Sequence, residues 1–161
     1  MGKIIAAIIL AAIISSCTSI DCPVQNTVYT VYKLYKADGV ADTLSDTLTI
    51  YTYRKNGSDS ILLNKKTKAV VLELPISYQN HEDTLIFELK DTFNVLRRDT
   101  VWIAKTNQPH FESVDCNISY FHEITSVRWT NEAIDSIGIN KKDVNYDAST
   151  EHFHIYFKAR N

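Results

Sequence analysis

Apolar and polar residues change places at every other position along most of this chain. Leu48 and Ile50 alternate with Thr47, Thr49 and Tyr51, and Val70, Leu72 and Leu74 make a second inward set. Leu85, Phe87 and Leu89 form a third with Glu88 turned away. Val101 and Ile103 follow, and Phe153, Ile155 and Phe157 close the chain. A period of two marks half-buried strands, because successive Cβ atoms point to opposite sheet faces. No stretch after Cys17 sustains a 3.6-residue apolar stripe, and the abundant threonine, tyrosine, valine and isoleucine suit a pleated surface. The expectation is all-β: an antiparallel β-sandwich of immunoglobulin-like type with roughly eight or nine strands, a small β-barrel being the alternative.

Turn signals punctuate the pattern. Asn56-Gly57 predicts a type I′ hairpin between a strand ending near Arg54 and one starting near Ser60, since both residues tolerate positive φ. Asp38-Gly39 predicts a second turn within a polar loop from Ala37 to Ser45, and Gln79 to Glu82 and Thr106 to Pro109 predict further connections. Five segments share one spelling, aspartate, hydroxyl residue, aliphatic: they begin at Asp46, Asp59, Asp83, Asp99 and Asp135. Each reads as a strand start, where a short polar side chain bonds nearby backbone before the aliphatics enter the sheet. Calcium loops cluster their oxygen ligands in one segment, so aspartates spread one per strand do not predict a calcium site.

The N-terminus is of another kind. Lys3 precedes an unbroken apolar run from Ile4 to Ile14, then Ser15-Ser16-Cys17. This is the order of a secretory signal peptide, and about 11 apolar residues are too few for a membrane span. Ile14-Ser15-Ser16-Cys17 also resembles the bacterial lipobox, whose cysteine is acylated and becomes the new N-terminus. The expected organisation is a signal peptide over residues 1–16, a lipidated end and short tether over 17–26, and one sandwich domain over 27–161. The tether has no serine-, glycine- or proline-rich linker. Cys17 to Cys22 is five residue steps, at most about 17 Å.

Acylation of Cys17 leaves Cys22 and Cys116 as an even pair in an oxidising compartment, read as a disulfide closing about 95 residues and worth at most about 4.6 kcal/mol. The alternatives are two free thiols or a nucleophilic Cys116, though no neighbouring histidine or glycine-rich loop would activate it. Losing Lys3 takes the formal charge from −2 to −3, which provides no basic face for nucleic acid. Lys65-Lys66 and Arg97-Arg98 read as solvated loops.

Candidate chemistry is thin. His152 and His154 share a strand face by spacing and, with His122 or Glu151, offer zinc ligands. Phe153, Ile155 and Phe157 claim the inward face, however, which assigns both histidines to solvent beside Tyr156 and Lys158, so no metal or cofactor is expected. Nine tyrosines are spread over several strands. Tyr51 and Tyr53 lie opposite Leu48 and Ile50 and, with Trp102, Tyr29 or Tyr35, offer an aromatic platform for a sugar ring or peptide. The bland alternative is ordinary sheet cover with wet hydroxyls. Glu82-Asp83, Glu112, Asp115 and Glu123 lack the apolar pocket that would divide their pKa values for acid–base work. No nucleophile elbow, phosphate loop or dinucleotide fingerprint occurs.

The lipobox, the second cysteine soon after it, the Asp-Thr strand starts and the late cysteine after Phe111-Glu112-Ser113-Val114-Asp115 resemble a group of small Bacteroidota lipoproteins known only as a domain of unknown function. Glu123 to Val127 and Asp135 to Ile137 are similar to it as well. The group would have glycine after the late cysteine where this chain has Asn117. The resemblance implies an exported, lipid-held sandwich and no particular activity.

Two functions are expected from these readings. The first is a non-enzymatic, lipid-anchored structural or adaptor subunit with an envelope protein partner, docking through a strand edge or the tyrosine-bearing face. The second is a glycan- or peptide-binding module serving an outer-membrane uptake system. Thr18 is not the aspartate of inner-membrane retention, which points to the outer membrane. A single acid, Asp21, in the tether points to its periplasmic side.

Overall fold

The structure is a computed structural model that describes Cys22, residues 27–54 and residues 57–158. Among the described residues there are ten strands: β1 (Tyr29–Tyr35), β2 (Thr47–Tyr53), β3 (Asp59–Lys66), β4 (Val71–Pro75), β5 (Glu82–Lys90), β6 (Leu96–His110), β7 (Ser119–Trp129), β8 (Ile134–Ile139), β9 (Asp143–Val144) and β10 (Phe153–Phe157). They form an open two-sheet sandwich and not a barrel. A four-stranded sheet ordered β4-β1-β10-β8 packs on a six-stranded sheet ordered β3-β2-β5-β6-β7-β9.

Every pairing is antiparallel except β1 with β10, which run parallel, Tyr32 opposite Phe153. An immunoglobulin sandwich keeps its first strand at a sheet edge, whereas here β1 lies between β4 and β10. The likeness is therefore one of packed layers and not of strand order.

The alternating residues meet between the sheets. Tyr32 stacks on Phe153 (centroids 4.7 Å apart) and meets Phe87 of the other sheet edge-on at 6.2 Å. Leu34, Leu48, Ile50, Leu72, Leu74, Ile103, Ile124 and Ile155 fill the remainder. Burying each such side chain is worth about 1.5–3 kcal/mol. The Tyr32 hydroxyl has no hydrogen-bond partner among the described residues, so this tyrosine is a core residue and not a sheet cover with a wet tip.

One turn closes three hairpins. Lys36 pairs with Val40, Arg54 with Ser58 and Asp91 with Val95, and in each the third enclosed residue donates back to the first of the pair. Those third residues, Gly39 (φ 81°), Gly57 (φ 78°) and Asn94 (φ 65°), occupy the left-handed region that glycine and asparagine tolerate. The 54–58 turn thus encloses three residues, one more than a two-residue type I′ turn. Lys55 and Asn56 of that predicted turn lie outside the described residues.

Several expectations need correction. Residues 106–109 are not a connection, because β6 runs through them, paired with β7 as far as His110 opposite Ser119. Arg97 and Arg98 are also strand residues, bonded to Asp46 and Glu88. Val70 precedes β4 and is exposed, which leaves Leu72 and Leu74 as the inward pair.

Candidate functional site

Two of the five shared-spelling aspartates, with a lysine, explain how the sandwich is pinned at its ends. The inward row of β6 reads Asp99, Val101, Ile103, Lys105, all buried: an apolar centre bracketed by one anion and one cation. Asp99 is four residues inside β6 and not at a strand start. It accepts from Thr130 Oγ1 (2.8 Å) and from the backbone N–H groups of Glu132 (2.6 Å), Ala133 (2.6 Å) and Ile134 (2.8 Å). Burial alone would raise its pKa; the four donors overcome this and hold the carboxyl below its ordinary value. Its partners lie 31–35 residues away, on the crossing from β7 to β8 that joins the sheets. The device is tertiary rather than the local turn bond expected from the sequence.

Lys105 pins the opposite end. Its Nζ meets Asp83 Oδ2 at 3.1 Å and donates to the Asn80 carbonyl at 2.8 Å, while Asp83 also accepts from the Ser77 N–H at 2.9 Å. Asn107 Nδ2 donates to the carbonyls of Tyr78 and Asn80, both at 3.0 Å, which leaves Oδ1 facing His122 Nδ1 at 2.8 Å. Oδ1 can only accept, so Nδ1 carries the proton and Nε2 the lone pair. Burial, aided by the Lys105 cation, pushes the His122 pKa down to about 4. The imidazole is neutral near pH 7.

This network shapes the β4–β5 connection, and a cleft opens on either side of it. One, of about 430 Å³, is lined by Tyr53, Arg54, Leu62, Asn80 and Asp83 among others. The other, of about 640 Å³, is walled by Tyr78, Tyr120, Ile118, Gln79 and His122. Tyr78 and Tyr120 stack with centroids 4.9 Å apart. Neither tyrosine was singled out from the sequence, because Tyr78 lies in the β4–β5 connection and Tyr120 on β7, and they meet only where Asn107 of β6, beside β7, holds that connection.

Cys22 and Cys116 form a disulfide, with Cα atoms 5.5 Å apart. Cys116 lies in the β6–β7 loop, two residues before Ile118 of the larger cleft. Cys17 and the predicted signal segment lie outside the described residues.

The predicted platform lies on one outward sheet face, Tyr53 exposed and Tyr51 and Trp102 partly buried. Tyr51 and Tyr53 touch edge-on at 5.8 Å. Trp102 stands beyond them across β5, opposite Thr84, about 10 Å away at normal strand spacing. Arg128 covers its ring at 5.1 Å and pairs with Glu82 at 3.0 Å. The three rings share a face without converging on one point.

His152 is not solvated. It sits just before β10, fully buried, with Nδ1 accepting from the Val31 N–H at 3.0 Å. Burial lowers its pKa, opposed by the Asp143 backbone and the Asp147 carboxylate. Half-buried His154 packs against Tyr35 (4.6 Å) and contacts Glu151 at 3.2 Å. The alternation that assigned both to solvent fails at His152 because the strand proper begins at Phe153. Among the described residues no group of three His, Cys, Asp or Glu could hold a metal ion. No described helix is long and apolar enough to cross a membrane.

These features define a disulfide-linked, two-sheet β-sandwich whose buried charges hold loops in place. The chain belongs to a family of unknown function, DUF6452, whose model matches residues 47–157. No curated protein and no solved structure matches it significantly.

Proposed function

We propose that this is a non-enzymatic, lipid-anchored envelope protein, a structural or adaptor subunit held at the outer membrane on its periplasmic side and akin to the small lipoproteins of Bacteroidota. The observation that carries the reading is the Cys22–Cys116 bond. It ties the folded body to a point five residues beyond the lipobox cysteine, a leash of at most about 17 Å. A short leash suits a component of a membrane assembly better than a far-reaching receptor. Buried Asp99, Lys105 and His122, with partly buried Asp83, are occupied in holding loops or the groups that hold them, which supports a role without chemistry. Two of the four edge strands are blunted against docking. The edge strand β3 carries register shifts and ends in Lys65-Lys66, and β4 ends in Pro75, both devices that blunt an edge. The partner surface assigned to the adaptor is the far hairpin, where Phe93 and Val95 are exposed.

Crosslinking and pull-down of the lipidated protein from its own envelope tests the reading. One abundant membrane-complex partner, lost in Phe93→Ser, is the expected result. The second reading, a glycan- or peptide-binding module, is favoured by the stacked Tyr78–Tyr120 wall. Recovery of no protein partner, with saturable glycan binding lost in Tyr78→Ala or Tyr51→Ala, would replace the adaptor with the binder.

A further inference from the structure

We infer that the β6–β7 loop, residues 111–118, rests in the headgroup–acyl boundary of the bilayer and seats the sandwich end-on against it. The inference builds on the lipid-anchor reading and adds an orientation to it. Phe111 is 65% exposed, Val114 99% and Ile118 45%, three large apolar side chains facing solvent within one short loop. Such a cluster is costly in water unless another phase covers it. The same loop carries Cys116, joined to Cys22. Acyl chains on Cys17 would hold Cys22 within about 17 Å of the bilayer, and Val114, two residues from Cys116 across a disulfide whose Cα atoms are 5.5 Å apart, lies at most about 13 Å further. The loop closest to Cys22 therefore displays three apolar side chains.

What stands behind the loop suits a seat. His110 stacks on Phe121 at 4.1 Å, and Tyr146 meets Phe121 edge-on at 5.0 Å while its hydroxyl donates to Ser119 Oγ. Rings with one apolar and one wet end favour the membrane interface. Two acids share the loop: Glu112, which contacts His110 at 3.0 Å, and Asp115. They fit headgroups that present an ammonium and would be repelled by a strongly anionic surface. Phosphatidylethanolamine is thus the favoured lipid.

The molecule contains its own control. Phe93 (85% exposed) and Val95 (56%) form a second apolar tip, but at the opposite end of β6. Fourteen steps of strand place it about 45 Å away, beyond the leash.

The test uses the full lipidated chain, isotopically labelled, in nanodiscs of phosphatidylethanolamine with a minor share of phosphatidylglycerol and a headgroup spin label. Amide signals of 111–118 should broaden strongly and those of 91–96 should not. A lipidated Phe111→Ser/Val114→Ser/Ile118→Ser variant, which loses only exposed side chains, should keep its fold and lose most of that broadening. A lipidated protein whose 111–118 signals broaden no more than those of 91–96 overturns the orientation while leaving the anchor intact. An intact mass showing unmodified Cys17 removes the anchor reading and this inference together.

Discussion

The two ends of β6 solve one problem with opposite charges. At the far end Asp99 gathers three backbone N–H groups and a hydroxyl onto a buried carboxylate, locking the passage between sheets. At the near end Lys105 binds a carboxylate and a carbonyl, with neutral His122 completing the network through Asn107. The far lock is a single saturated anion sealed in the core. The near one is a chain of polar groups beside two clefts and close to the disulfide loop. The contrast teaches that buried charge is used here to fix loops, and that the end nearest the tether is the one acid should loosen.

The largest effect expected is at the far end. Asp99→Asn keeps the shape but turns amide hydrogens toward N–H donors, orphaning buried backbone groups. A loss of about 4 kcal/mol is expected in chemical denaturation; a loss under about 1 kcal/mol would mean that the lock holds nothing. Next comes the near end's covalent tie. A paired Cys22→Ser/Cys116→Ser change should cost about 3 kcal/mol by freeing a long loop in the unfolded chain. Core amides should then lose hydrogen-exchange protection together, and the near end is marked by an additional loss at 111–123 that 130–134 do not share; without that extra loss the tie does not hold the native loop.

Acid should separate the ends more directly. His122 has a folded pKa of about 4, below the unfolded value of about 6.5. Above that window both states are neutral. Within it the unfolded chain binds a proton that the folded one refuses, so stability falls as pH drops, by about 3 kcal/mol over the whole window. Buried His152, also depressed, adds to the same slope. His122→Asn keeps the donor to Asn107 without the titration and should flatten the slope to what His152 leaves. Asp99, depressed by its donors, keeps its contribution until pH falls below the ordinary carboxylate range. At mildly acid pH, residues 77–81 should therefore lose exchange protection before 132–134. The smallest effect is between the ends: Tyr32→Phe removes a hydroxyl without a described partner and should be neutral or stabilising by up to about 1 kcal/mol. A clear destabilisation would reveal a bond that the described residues do not show.

The inward sets of β2, β5, β6 and β10 were legible because alternation is a local consequence of the pleat. The cysteine pair was legible from parity and the expected compartment. The parallel β1–β10 pairing was not, since the same alternation serves either direction. Residues 106–109 read as a turn because polar residues and Pro109 interrupt the pattern, yet that stretch is held by β7 on one side. The aspartate spelling was visible but its meaning was not: Asp99 and Lys105 act on loops far away in sequence. The cleft of Tyr78, Tyr120 and His122 was invisible for the same reason. Exposed Phe111 and Val114 carried no local signal, because an apolar residue in a loop looks the same whether it folds inward or faces out.

A non-reducing tryptic digest of the protein from its native membranes tests the proposed N-terminal anchor and its disulfide tie together. The expected product is one linked species, an acylated peptide 17–33 joined through Cys22 to peptide 106–128 through Cys116. A chain beginning at any residue other than 17, or peptide 17–33 bearing no acyl group, would contradict it.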